Sequence, residues 1–161
     1  MNERLFHIAK AVRAEMHNFQ QANPDVGCGA WPHKDLAGYC AISSFLFATV
    51  AKRLGFKIDL VLGRAKVDLK YSQANHAWIE YKDNIYDITA TQFWKTVKPV
   101  HITRAANRNY QELRRNKEAH DELKSRWGSQ SPYRYVGTLR YRARKIARQL
   151  RDEQSKTQRT E

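Results

Sequence analysis

Cysteine is scarce in this chain: its 161 residues contain two, Cys28 and Cys40. Two are too few for the disulfide framework by which small secreted domains compensate for a small core. Long hydrophobic runs are also missing. No stretch approaches the roughly 20 apolar residues that span a bilayer, so neither a helical membrane span nor a membrane partner is expected. Asn2-Glu3-Arg4 leads into a short charged helical pattern rather than an apolar signal region. The expected location is therefore cytoplasmic, where both thiols stay reduced. Metal-ligand spacing is lacking too, because Cys28, His33, Cys40 and His76 include no C-x-x-C or H-x-x-x-H pair to preorganise zinc. No metal and no cofactor are expected, and no internal repeat is visible.

Acidic residues are outnumbered. The formal charge is +13, and residues 101–161 hold 16 Lys and Arg against 7 Asp and Glu. The basic excess thus belongs mostly to the C-terminal third. With 42% hydrophobic and 11% aromatic residues, the length suits one compact core and is short for two.

Hydrophobic periodicity organises the chain. Leu5, Ile8, Ala9, Val12, Met16 and Phe19 recur at three and four, which predicts an amphipathic helix over residues 3–20. Residues 21–38 collect Asn23-Pro24-Asp25, Gly27, Gly29, Pro32 and Gly38, the composition of an irregular loop. From Cys40, the residues Ile42, Phe45, Leu46, Thr49, Val50 and Leu54 predict a second, largely buried helix that stops at Gly55. Alternation then predicts two strands separated at Gly63, a third from Asn75 to Glu80 and a fourth from Ile85 to Thr89, with a tight turn at Tyr81–Asn84. Beyond Pro99 the pattern predicts helices near Arg104–Arg126 and Thr138–Gln154, then a disordered polar tail.

Three residues in this frame carry chemistry. Nucleophilic catalysis by cysteine needs a thiolate, a base within reach and a group that holds the base in one tautomer. Cys40 opens a predicted helix, where unpaired backbone N–H groups favour an anion and can also serve an oxyanion. His76 lies on a strand and can exchange the Cys40 proton. A four-residue turn at Tyr81–Asn84 pairs Glu80 with Ile85, which sets Asp87 on the His76 face and diagonal to it.

Gly38-Tyr39-Cys40 opening an apolar helix, then Arg53-Leu54-Gly55-Phe56, Val61-Leu62-Gly63, Asn75-His76-Ala77-Trp78-Ile79-Glu80 and Tyr86-Asp87-Ile88-Thr89 resemble the core of the transglutaminase-like branch of papain-like cysteine enzymes. The likeness covers residues 36–93. It departs from the family pattern in Thr89-Ala90, where a proline is common. The resemblance implies an α+β fold with a papain-like core, the Cys-bearing helix packed on an antiparallel sheet. It also implies acyl transfer through a thioester, with Cys40 as nucleophile, His76 as acid and base, and Asp87 as orienter. The family includes transglutaminases, protein-glutamine deamidases, peptidases and amidases, and also inactive members.

Blander readings exist for each residue. A buried cysteine at a helix start is commonly inert packing, a strand histidine is commonly satisfied by a neighbour, and Asp87 suits a cap on the turn into Thr89. Trp78, Trp31 and Gln21 are the substrate-binding or oxyanion candidates, and Gln20, Asn23 and His33 also precede the nucleophile. Trp78 suits core packing better. The expected organisation is a catalytic domain at 1–100, a basic helical extension at 101–154 and a disordered tail at 155–161. The expected partner is a protein or peptide substrate of acidic character. The alternative is an inactive basic module that binds nucleic acid or an acidic protein through Arg140, Arg142, Arg144, Lys145, Arg148 and Arg151.

Overall fold

The computed structural model describes residues 1–24, 35–66, 73–119, 121 and 136–157. Cys28, Trp31 and His33 lie outside them. The first helix, α1 (Glu3–Ala22), starts where the Asn2 side chain accepts the Leu5 N–H at 2.9 Å, satisfying one of the orphan donors of a helix start. Its buried face is the stripe read from the sequence: Leu5, Ile8, Ala9, Val12, Met16 and Phe19. The second helix, α2 (Cys40–Arg53), buries Ala41, Ile42, Leu46, Phe47, Val50 and Ala51 together with Ser43 and Ser44. It ends as expected, with Gly55 at φ +87°, a conformation that suits glycine, and Phe56 N–H closing on Ala51 O at 3.0 Å.

Five antiparallel strands follow: β1 (Asp59–Ala65), β2 (Ala74–Tyr81), β3 (Asn84–Asp87), β4 (His101–Arg104) and β5 (Tyr110–Arg115), in the order β4-β3-β2-β1-β5. The tight turn falls where expected, with Glu80 opposite Ile85. The last helix, α3 (Val136–Thr157), packs on α1 and α2 through Leu139, Ala143, Ile146 and Ala147. Pleat alternation divides the sheet. Leu60, Leu62, Ala77, Ile79 and Tyr86 join the helices in one core, whereas Val61, Ala65, Ala74, Trp78, Ile85 and Tyr110 meet Ala90, Phe93 and Trp94 in a second core. The architecture is α+β, with the Cys-bearing helix against an antiparallel sheet.

Three expectations need correction. Residues 101–115 do not begin a helical extension: β4 pairs with β3 and β5 with β1, so a boundary at residue 100 would cut through the sheet. Sheet pairing here overrides helix-forming local composition. Gly63 does not separate two strands either, because β1 runs through it. A Cβ there would sit 2.1 Å from Gln111 O and 2.5 Å from Trp78 Cη2, so glycine admits the close approach of β5 and an indole. Of the expected second strand over residues 65–71, residues 67–71 lie outside the described residues. Finally, residues 155–157 of the expected disordered tail are the last residues of α3, and residues 158–161 lie outside the described part. Among the described residues, no helix is long and apolar enough to cross a membrane.

Candidate active site

Cys40 is the first residue of α2 and its thiol is half-buried and free. Tyr39, at the cap position, contributes no side-chain cap, and no acidic residue occupies the first turn. The first-turn amides therefore remain donors at the positive end of the helix. The approach to Cys40 is tightly fixed. Leu36 and Gly38 adopt φ +55° and +77°, Tyr39 N–H donates to Leu36 O at 3.0 Å, and Tyr39 Oη donates to Asn23 O at 2.5 Å.

His76 enters from β2. The last β2–β3 pair is Ile79 with Tyr86, so two residues further along, the Ala77 carbonyl no longer faces a strand. Ser44 Oγ of α2 donates to that carbonyl at 2.9 Å. The helix thus takes the edge of β2 that the short β3 leaves open, and this brings Cys40 to His76. The imidazole is fully buried. It lies edge-on to Phe93 at 4.7 Å, with Trp78 at 5.9 Å and Tyr110 at 6.2 Å. Its Nε2 donates to Asp87 Oδ2 at 2.6 Å, which leaves Nδ1 as the nitrogen available to the Cys40 thiol. The thiol interacts with the ring, yet Nδ1 makes no well-formed hydrogen bond. Burial lowers the His76 pKa, but the Asp87 charge and hydrogen bond, helped by Cys40, outweigh it and raise the pKa to about 10.

Asp87 sits in a closed cradle. Oδ1 accepts from Thr89 N–H at 2.8 Å and Thr89 Oγ1 at 3.1 Å; Oδ2 accepts from His76 Nε2 and from Tyr110 Oη at 2.9 Å. Burial opposes its ionised form, but the His76 charge and these hydrogen bonds hold the carboxyl below the usual carboxylate range. The turn-capping role and the histidine-orienting role therefore coexist in one side chain, each using one oxygen.

Tyr110 was not read from the sequence as a site residue. It reaches Asp87 because β5 pairs with β1, with Ala65 opposite Tyr110. Burial and the neighbouring Asp87 push its phenol pKa up, so it stays a donor. The available signal was an aromatic residue directly after the turn-forming Asn107-Arg108-Asn109. His101, opposite Asp87 on β4, stacks on Tyr110 with centroids 6.4 Å apart. Its own pKa is lowered by burial, against a raising effect of Asp87.

Two further side chains tie the pieces together. The buried guanidinium of Arg13 on α1 donates to Ile88 O, to Asp35 Oδ2 at 2.5 Å and to Thr91 Oγ1 at 3.2 Å. It thereby links the segment before Cys40 to the segment after Asp87. Gln92 Oε1 accepts the Gly38 N–H at 3.2 Å and makes a second link, while its buried Nε2 has no partner among the described residues.

The structure brings Cys40, His76 and Asp87 together and does not do so for the other candidates. Trp78 is 1% exposed and its Nε1 donates to Glu80 Oε1 at 3.0 Å. Its indole N–H is spent, so it is a core residue rather than an oxyanion or substrate contact. Gln21 is exposed in the last turn of α1 and makes no hydrogen bond to the triad. Trp31 lies outside the described residues. Among the described residues, no group of three or more His, Cys, Asp or Glu side chains is arranged to hold a metal ion. Compared with known proteins, the chain matches no family model, no curated protein and no solved structure.

Proposed function

We propose that this protein is a cysteine enzyme of the transglutaminase-like, papain-like kind, which acts on amide bonds through a thioester. The observation that carries the proposal is a fully buried imidazole bonded to a carboxylate through Nε2, with Nδ1 left over and the Cys40 thiol near enough to raise the ring's pKa. A histidine that only needed satisfaction would not require an ionised carboxylate held by three other donor hydrogens.

In this mechanism the proton shared by Cys40 and His76 rests on His76 Nδ1, in keeping with the raised histidine pKa, and the thiolate sulfur attacks a carboxamide or peptide carbonyl. The first-turn amides of α2 stabilise the oxyanion. His76 returns the proton to the leaving nitrogen, so ammonia or an amine departs and a thioester remains. It then takes a proton from water or an acceptor amine, which attacks the thioester; the tetrahedral intermediate collapses and Cys40 leaves reprotonated. Asp87 stabilises the imidazolium and fixes its tautomer throughout. Deamidation, transamidation and peptide cleavage, including removal of a leader or pro-segment, share these steps and differ in leaving group and acceptor. The net charge of +13 favours an acidic protein or peptide as substrate. The free thiol suits a reducing compartment such as the cytosol.

The test is covalent modification at pH 7, with iodoacetamide and with p-nitrophenyl acetate, using Cys40→Ser to subtract Cys28. An unassisted thiol is only a few per cent thiolate at this pH. His76→Ala should therefore slow both reactions about tenfold or more. Equal rates in wild type and His76→Ala would overturn the proposal.

A further inference from the structure

We propose that the outer face of α3 binds single-stranded nucleic acid, with phosphates on Arg140, Arg144, Lys145 and Arg148 and an unpaired base on the ring of Tyr141. From Val136 to Arg151 the helix carries six Arg and Lys and no Asp or Glu. Two of the six are committed within the fold: Arg142 pairs with Glu15, and Arg151 donates to the Arg53 carbonyl at 2.6 Å. The remaining four are exposed, and among the described residues none makes an ion pair or hydrogen bond. A solvated surface helix commonly offsets its cations with carboxylates three or four residues away; Arg140, Arg144 and Lys145 have none at that spacing, and Asp152, four residues beyond Arg148, makes no ion pair with it.

The helix cannot turn this face away. Leu139, Ala143, Ile146 and Ala147 are buried against α1 and α2, which fixes the opposite side outward. Arg140, Arg144 and Arg148 then follow one another at steps of about 6 Å along the axis, close to the repeat of an extended nucleotide strand. Tyr141 stands on this ridge, three residues before Arg144 and four before Lys145, and is 68% exposed. Apart from Met1, it is the one large hydrophobic side chain left exposed among the described residues. A ring held in solvent among unpaired cations is what stacking of an unpaired base requires. A carboxylate-rich protein surface would use the cations and leave the ring idle. Duplex DNA offers no free base face to it.

The experiment is fluorescence anisotropy of a labelled oligouridylate with the full chain over a range of salt. Four phosphate contacts on a single strand predict a log–log salt slope near −3, equivalent to about 50-fold weaker binding between roughly 50 and 200 mM. Tyr141→Ala should weaken binding about tenfold, and R144E with R148E should abolish it. Neither change touches the site around Cys40, so iodoacetamide reactivity and the urea midpoint should stay as in wild type and exclude misfolding. Three results would overturn the proposal: no binding at low salt, equal or tighter binding of polyglutamate, or unchanged affinity in Tyr141→Ala. All are independent of whether Cys40 is catalytic.

Discussion

Asp87→Asn separates the chemistry of the site from its architecture. The carbonyl oxygen of the new amide can still accept both Thr89 donors, whereas its NH2 group replaces Oδ2 and faces His76 Nε2 and Tyr110 Oη. Nε2 must then accept a hydrogen bond, so the ring becomes neutral with its proton on Nδ1. That nitrogen now presents a hydrogen to Cys40 and cannot take one. Burial, no longer opposed by a carboxylate, drives the His76 pKa down. All four bonds lose the carboxylate's charge, at about 1 kcal/mol each, so urea denaturation should report a loss of about 4 kcal/mol and a retained fold. Alkylation of Cys40 should drop to the level of an unassisted thiol, and turnover, where a substrate is at hand, about 10⁴-fold, as wrong-tautomer substitutions do in serine triads. Asp87→Ala is the poorer probe. It strands four buried donor hydrogens at about 1–3 kcal/mol each, a sum comparable with the whole stability of a domain. An Asp87→Asn variant that alkylates at the wild-type rate would refute the claim that Asp87 sets the tautomer.

Stability should also depend on pH in two opposite ways. The raised pKa of His76 contributes stability that is complete below its unfolded value of 6.5 and is lost as pH climbs towards about 10. The lowered pKa of Asp87 contributes stability that is present above 3.8 and is lost as pH falls below it. Urea midpoints measured from pH 3 to 10 should be highest between these limits, and Asp87→Asn should flatten the alkaline limb; a wild-type midpoint that rises above pH 7 contradicts this account. Gly63→Ala should cost about 2–3 kcal/mol in urea denaturation, because the added carbon meets the Gln111 backbone oxygen and the Trp78 ring; a change under about 0.5 kcal/mol would mean that β5 is free to move away.

The parts of the fold legible in the sequence were those with a strong period or a defined turn. The stripe of α1, the apolar run of α2, the helical stretch that became α3 and the turn at Tyr81–Asn84 all fall where the pattern puts them. That turn alone fixed the face of Asp87. The failures have a common cause in edge strands. β4 and β5 carry Arg104, Gln111, Glu112 and Arg114 on exposed positions, as solvated edges do, and such residues read as helix. Tyr110 was lost with them. Gly63 carried a turn signal, although its true constraint is close packing, which no local pattern displays. Trp78 was visible as an aromatic neighbour of His76, but its engagement by Glu80, itself held by Arg115 at 2.7 Å, depends on pairing across the sheet.

The strand order has a consequence for synthesis on the ribosome. β1, at the middle of the chain, waits for β5, which is made about fifty residues later, and α2 waits for α3, which is later still. A nascent chain of 100 residues already holds Cys40, His76 and Asp87, yet lacks the phenol that closes the Asp87 cradle and the helix that covers α2. On the proposed mechanism, the Cys40–His76 pair therefore gains its fully held carboxylate only after β5 has been made.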